Sequence, residues 1–204
     1  AIEDDLKVIS AVKQVLDQNP LGSGAGYGLP IKVDREMTAK LLGFSKIQET
    51  TYVQNSRGKF ELLVLQALQQ IMLDLNKMAT DLMLFSTSEF GFVSLPQEFL
   101  TGSSIMPQKN NYDVLELARG KYGVVMGYAA TVSAITANLP SGYNRDFQLT
   151  KEPLMKGVET TIETINGMAA VMRNLKFNEK RCREAMTGEL YATARAYELV
   201  KKGM

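Results

Sequence analysis

Histidine is absent from the 204-residue sequence, and cysteine occurs once, as Cys182. Histidine is the usual general acid or base near neutral pH and the commonest metal ligand, so these residues predict neither a histidine-based catalytic centre nor a zinc site. A single cysteine excludes a disulfide framework within the chain and is typical of a reducing compartment. We expect Cys182, which lies in a charged helical context, to have no catalytic role, and we expect no metal or other cofactor.

Excess charge of one sign and long hydrophobic runs are also missing. The chain has 23 basic and 22 acidic residues and a net charge of +1. Electrostatics therefore gives no reason to expect a nucleic acid or an anionic membrane as a partner. No apolar run approaches the roughly 20 residues needed to cross a bilayer, and no secretory or transit signal is recognisable. The cytoplasm is the expected location.

Helical periodicity is what the sequence has in abundance. With 45% hydrophobic residues, the chain can bury a core of its own. Apolar positions alternate by four and three residues from Lys59 to about Phe85, which predicts a long central helix. Similar spacing predicts helices at 1–16, 34–44, 113–138 and 154–172, and short ones from near Asn178 and over 190–202. No strand pattern of convincing length appears, so the expected fold is all-α: an elongated bundle of long helices with part of a small helical domain.

We expect residues 1–176 to form the bundle and residues 177–204 to begin the small C-terminal domain. The first sixteen residues read as the interior of a helix with no capping residue before it, so we expect an N-terminally truncated fragment. The helix predicted from Asp113 contains glycines 120, 123 and 127. Each costs up to ~1 kcal/mol of helix stability relative to alanine, so we expect tight packing against a neighbouring backbone to compensate for them.

Three irregular segments interrupt the helices and are candidates for a function. GSGAGYG, residues 22–28, looks like the start of a dinucleotide fingerprint, but a helix precedes it and no strand–helix unit surrounds it, so we predict no nucleotide site. GSSIMPQKNN, residues 102–111, offers hydroxyls, a lysine and amide donors just before a helix N-terminus, which favours anions. SGYNRDFQLTKE, residues 141–152, adds an aromatic hydroxyl, amides and charges. On chemistry alone, the last two segments could equally be solvated loops.

Segment 102–111 resembles the signature of the fumarase and aspartase superfamily. That signature has a glycine, two serines, an apolar residue, Met-Pro, a variable residue, lysine, a variable residue and asparagine. NPLGSGA at 19–25, DLMLFSTSEFGFVSL at 81–95 and LPSGYNRDFQLTKEPL at 139–154 are similar to argininosuccinate lyases rather than to fumarases, aspartases or adenylosuccinate lyases. The resemblance runs across essentially the whole chain and implies the central helical-bundle domain of that family.

The resemblance implies a carbon–nitrogen lyase that eliminates the small molecule L-argininosuccinate to fumarate and L-arginine, in arginine biosynthesis and without a cofactor. It also implies a homotetramer whose active sites are shared between subunits. Two alternatives stay open: another fumarate-releasing lyase of the superfamily, and a non-catalytic helical scaffold of the crystallin type, because crystallin relatives share these motifs.

Residue roles follow from the same resemblance. Ser103 is expected to remove a proton from the carbon next to a carboxylate, and the segment that carries it is expected to close over substrate. Lys109 and Asn111 are expected to stabilise the extra negative charge that develops on that carboxylate. Glu116 matches a glutamate that pairs with the catalytic histidine of the family. Three further positions match substrate-binding residues: Tyr143, Gln148 and Lys151.

The sequence departs from the family pattern in two respects. Asn110 stands where lysine is common, and Tyr112 stands where proline is common, which is expected to loosen the junction between the loop and the helix. The family histidine and the N-terminal domain that carries the acid-side chemistry are missing as well. We therefore expect these 204 residues to be inactive alone.

Overall fold

The computed structural model describes residues 1–24, 28–49, 58–106 and 108–203. Parts of two candidate segments, residues 25–27 and Pro107, lie outside the described residues. The α-helices in these ranges are α1 (Ile2–Leu16), α2 (Arg35–Leu42), α3 (Lys59–Phe85), α4 (Asp113–Thr136), α5 (Lys151–Asn174), α6 (Glu179–Glu184) and α7 (Ala192–Lys201). Short 3-10 helices lie at Gln97–Phe99, Arg145–Thr150 and Gly188–Tyr191. The all-α prediction is confirmed.

A two-residue strand pair is an element that the sequence did not predict. β1 (Val93–Ser94) pairs antiparallel with β2 (Lys176–Phe177). Two residues are too few to show an alternating pattern, so periodicity gave no signal. The pair joins the segment after α3 to the segment after α5, so both lie at the same end of the bundle.

The core lies between α3, α4 and α5, which are long, adjacent and apolar on their facing sides. The apolar positions predicted for α3 by their alternating spacing, Val64, Leu68, Ile71, Leu75, Met78, Leu82 and Phe85, are only partly its buried face. Leu65 and Met72 lie outside that series and are completely buried, whereas Phe85 belongs to it and is 37% exposed. Burial on more than one side is what a central helix requires. The nearly or fully buried partners on the other two helices are Leu115, Val125, Val132, Met168 and Val171.

Close helix approach occurs at a glycine other than those expected. A Cβ on Gly157 of α5 would collide with the Cδ2 of Leu65 on α3. By contrast, no other element among the described residues comes within 4 Å of a Cβ placed on Gly120, Gly123 or Gly127. The expectation for these three glycines is therefore wrong within one chain, because the face of α4 that carries them points away from α3 and α5.

Helix α1 packs on α3 through an aspartate. Asp5 is the only buried residue of α1 and is 8% exposed. Burial, together with the neighbouring carboxyl of Asp74 on α3, raises the pKa of Asp5. No donor in the described ranges reaches Asp5 Oδ2, so a proton on Asp5 removes the cost of a buried charge that has no partner.

A neutral residue at position 5 is expected to stabilise the protein above acidic pH. Because the folded-state pKa of Asp5 is raised, its stabilising protonated form is fully present below the ordinary aspartate value near 3.9 and is lost as the pH rises through the raised value. Asp5→Asn should therefore increase the free energy of unfolding by on the order of 1 kcal/mol at pH 7, and by less near pH 4. Urea unfolding of both proteins at the two pH values measures the difference.

Asp4→Asn is the matched control. Asp4 is exposed, and its hydrogen bond with Lys7 lowers its pKa. Any contribution of its carboxylate to the free energy of unfolding is therefore present above the ordinary aspartate pKa and is lost in acid. The two variants should respond to pH in opposite directions. A loss of stability at pH 7 in Asp5→Asn would contradict this explanation, because it would show that the ionised Asp5 carboxylate stabilises the fold.

Candidate active site

Residues 101–111, here called the serine loop, connect the end of the 3-10 turn after β1 to the start of α4. The backbones of Thr101 and Asn111 form an isolated antiparallel bridge that closes the loop. Within it, the Lys109 N–H donates to the Met106 carbonyl at 3.0 Å. The backbone therefore enters and leaves the predicted signature at two residues that are hydrogen-bonded to each other.

The hydroxyl of Ser103 faces two backbone donors. Its Oγ accepts hydrogen bonds from the N–H of Ile105 at 3.3 Å and from the N–H of Met106 at 3.1 Å. A serine hydroxyl is a poor base unless its alkoxide is stabilised, and fixed N–H groups aimed at the oxygen supply that stabilisation without reorganisation. This local geometry suits a serine that accepts a proton.

Sequence reasoning missed these two donors because they belong to the backbone. Isoleucine and methionine side chains carry no sign of the role. A signal exists nonetheless, because serine hydroxyls commonly accept hydrogen bonds from the N–H groups two and three residues further on. Ser103, Ile105 and Met106 have that spacing.

Lys109, Asn111 and Glu116 lie at the same end of the bundle as Ser103. The side chain of Lys109 is exposed, that of Asn111 is half-buried, and that of Glu116 is exposed in the first turn of α4. In the described ranges no ion pair engages Lys109 or Glu116, so both charges are available to a ligand or to another chain. The structure therefore brings four of the seven predicted site residues into one region.

Tyr143, Gln148 and Lys151 lie in the connection between α4 and α5. Gln148 Nε2 donates to the Tyr143 hydroxyl at 3.4 Å, and Tyr143 is 46% exposed. Lys151 is the first residue of α5 and is exposed. These three side chains form a second polar group, here called the tyrosine group.

The serine loop and the tyrosine group lie at opposite ends of α4. The 24 residues of this helix, at 1.5 Å per residue, span about 36 Å. The antiparallel course of α3 supports this arrangement, because Gly58 at its start lies against Thr136 at the end of α4. One chain therefore does not bring the two groups of predicted site residues together.

A largely apolar cavity lies elsewhere. It measures about 440 Å³ and is lined by the segment from Leu16 to Leu21, by Phe44, and by side chains of α3 and α5. It contains none of the seven predicted residues. Its acidic group, Glu61, already accepts hydrogen bonds from the Gly58 N–H and the Thr150 hydroxyl. In the described ranges no group of three or more Asp, Glu or Cys side chains is arranged to hold a metal ion.

Sequence comparison finds two kinds of similarity. The model of a protein family described as Lyase matches residues 1–127. A protein named argininosuccinate lyase from Thermotoga neapolitana is 46% identical over 100% of this chain and 52% of its own length. One from Sorangium cellulosum is 42% identical over 100% of this chain and 47% of its own length. The chain thus spans about half the length of the curated relatives it matches.

Structural comparison finds the same bundle in solved proteins. An EDDS lyase in complex with formate superposes with a TM-score of 0.82 at 24% identity, over 89% of this chain and 36% of that one. A class II fumarase from Schistosoma mansoni superposes with a TM-score of 0.80 at 18% identity, over 89% of this chain and 43% of that one. At such low identity these likenesses show a shared fold.

Proposed function

Because the chain belongs to the lyase family whose model covers residues 1–127, we propose that the protein containing it eliminates L-argininosuccinate to fumarate and L-arginine. Identity of 46% and 42% to proteins named argininosuccinate lyase, over 100% of the chain, carries the choice of substrate. The two N–H groups directed at Ser103 Oγ support the chemistry. The protein is then a carbon–nitrogen lyase of arginine biosynthesis.

The mechanism begins with proton removal. The Ser103 alkoxide, stabilised by the backbone donors, takes the proton from the carbon next to a substrate carboxylate. The electron pair of the broken C–H bond delocalises into that carboxylate, which gains negative charge. The ammonium of Lys109 and the amide of Asn111 stabilise this state more than the substrate, so they lower the barrier rather than only tightening binding.

Cleavage of the carbon–nitrogen bond completes the reaction. The delocalised pair forms the double bond of fumarate, and the C–N pair leaves on the guanidinium nitrogen of arginine, which must take up a proton. None of the 204 residues is histidine, so in this proposal the proton donor is a group outside these residues. Glu116 would orient that donor from the first turn of α4.

The assay that tests this function measures fumarate. Purified protein containing these residues is incubated with argininosuccinate, and in parallel with adenylosuccinate, aspartate and malate, while fumarate absorbance and arginine are followed. Fumarate and arginine in equal amounts from argininosuccinate alone is the expected result. Turnover of another substrate with argininosuccinate untouched would assign a different lyase, and no turnover of any would favour a helical scaffold.

We further propose a homotetramer in which one active site takes the serine loop and the tyrosine group from different chains. The separation of about 36 Å along α4 means that these groups can meet only between chains. The exposed face of α4 supports a partner, because it carries Leu117 and Val124 beside the unopposed glycines. Exposed apolar side chains on α5 add to this surface, namely Met155, Ile162, Ile165 and Met172. Exposed apolar side chains in this number are typical of helices that pack against a partner.

Mixing two inactive variants is expected to restore activity. Ser103→Ala removes the proposed base and Lys151→Ala removes a charge of the tyrosine group, so each homo-oligomer lacks a functional site. In oligomers assembled at random from both, about a quarter of the sites combine an intact serine loop with an intact tyrosine group. Fumarate formation after joint refolding, compared with a mixture of the separately refolded variants, measures the effect. Equal activity in the two mixtures would contradict the shared site.

The described helices include none long and apolar enough to cross a membrane. We propose a cytoplasmic location, where arginine biosynthesis takes place. The division into a bundle over 1–176 and a small domain from 177 also stays a proposal.

A further inference from the structure

Three hydrogen bonds close the base of the serine loop, and all of them involve Thr101. Its N–H donates to the Asn111 carbonyl at 3.0 Å, and its carbonyl accepts from the Asn111 N–H at 2.9 Å. Its hydroxyl donates to Asp113 Oδ2 at 2.7 Å. One residue thus connects the start of the loop both to its end and to the first turn of α4.

The hydroxyl bond is the strongest kind available at this position. Its acceptor is a carboxylate, and its length of 2.7 Å is short, as expected for a charge-assisted bond. Asp113 is also the first residue of α4, where the positive end of the helix favours a negative charge. Thr101 is therefore bonded to a residue whose backbone belongs to the first turn of α4.

The closed base lies next to the groups that would carry the reaction. Asn111 is itself part of the bridge, and Ser103 is two residues from Thr101. Between them lies Gly102, where a Cβ would have no neighbour within 4 Å. The closed base therefore sets where the backbone enters and leaves the loop, one residue before Gly102 and at Asn111.

We propose that Thr101, Asn111 and Asp113 form a latch that holds the base of the serine loop, so that Ser103 returns to one position in each turnover. In this inference, which rests on the proposed function, Thr101 and Asp113 are positioning residues: their side chains act through the loop rather than on the substrate. Loosening the latch lets Ser103 occupy more positions and lowers the fraction of time in which its hydroxyl is aligned.

Exchange of backbone amide hydrogens tests the latch without reference to activity. In Thr101→Val, which keeps the shape of the side chain but loses its donor, the amides of Thr101 and Asn111 should exchange about three- to tenfold faster. Thr101→Ser, which keeps the hydroxyl, should restore the original rates. Thr80→Val is the matched control, because the Thr80 hydroxyl forms an exposed bond within α3, to the Asn76 carbonyl, and should leave the loop unchanged.

Steady-state kinetics on argininosuccinate tests the positioning role. Thr101→Val and Asp113→Ala are each expected to lower kcat about tenfold with less than a threefold change in KM. The double variant should be no worse than the more impaired single variant, because both changes break one bond. Thr101→Ser should recover most of the wild-type kcat.

Three results would overturn the latch. Unchanged exchange at Thr101 and Asn111 in Thr101→Val would show that the hydroxyl does not hold the base. Multiplicative losses in the double variant would show that the two side chains act independently, and equal impairment of Thr101→Ser and Thr101→Val would assign the effect to packing. If the wild-type protein forms no fumarate, the proposed function fails, while the exchange rates still decide whether the latch exists.

Discussion

Replacing Ser103 with alanine is expected to lower kcat for fumarate formation by roughly a thousandfold or more in the protein that contains this chain. The change removes the oxygen that would accept the substrate proton, and the donors on Ile105 and Met106 are left facing a methyl group. KM should change little, because Lys109 and Asn111 still bind the carboxylate. Initial rates of fumarate release over a range of argininosuccinate concentrations give both constants.

Two controls separate chemistry from folding in this experiment. Ser103 is half-buried in a loop, so Ser103→Ala should keep the wild-type circular dichroism spectrum and unfolding midpoint. Ser88→Ala removes a hydroxyl outside the loop that donates to Glu89 and should keep full activity. A Ser103→Ala protein within tenfold of wild-type kcat would show that a different group is the base.

The contact between Leu65 and Gly157 is expected to carry the largest effect on stability. Leu65 is fully buried, so Leu65→Ala should cost about 2–5 kcal/mol of unfolding free energy through lost burial and a cavity. Gly157→Ala places a methyl group where the leucine side chain already lies and should cost about 1–3 kcal/mol by overpacking. Chemical denaturation of each variant measures both values.

The double variant distinguishes this packing explanation from a general weakness of either helix. In Leu65→Ala with Gly157→Ala, the new methyl group enters the space that the leucine vacated, so the combined loss should be smaller than the sum by more than about 1 kcal/mol. Gly167→Ala is the matched control, because a Cβ there would meet only Val114 Cγ1, at 3.4 Å. There the better helix propensity of alanine should offset any strain. If the loss in the double variant equalled the sum of the two single losses, a direct contact between Leu65 and Gly157 would be contradicted.

Helix positions were predictable because burial imposes a period on the sequence. Helix α3 has the predicted bounds, Lys59 and Phe85. Helix α5 begins at Lys151, three residues before the predicted Leu154, because Pro153 lies in its first turn, where the missing N–H would have no partner within the helix in any case. The partners of each helix were less predictable: an apolar or small residue such as Gly123 does not indicate whether its neighbour is the same chain or another.

Some features of the candidate site could likewise be predicted from the sequence and others could not. The chemistry of Ser103, Lys109 and Asn111 could be inferred from a resemblance, because these residue types recur in a fixed order. The donors to Ser103 were harder to infer, since every residue except proline has the same backbone N–H and only the spacing from the serine indicates them. The bond from Thr101 to Asp113 depends on the loop closing on itself, which spacing alone does not determine. The roles assigned to all seven site residues remain predictions.

The length of α4 has a consequence for how such a protein can change its sequence over time. If a site combines groups from the two ends of this helix in neighbouring chains, the length of the helix sets the distance between those groups. Deleting one residue shortens it by about 1.5 Å and turns one end by about 100° relative to the other, and an error near 1 Å at reacting groups can cost about a hundredfold in rate. Substitutions along α4 are tolerable wherever packing allows, but insertions and deletions within this helix are not.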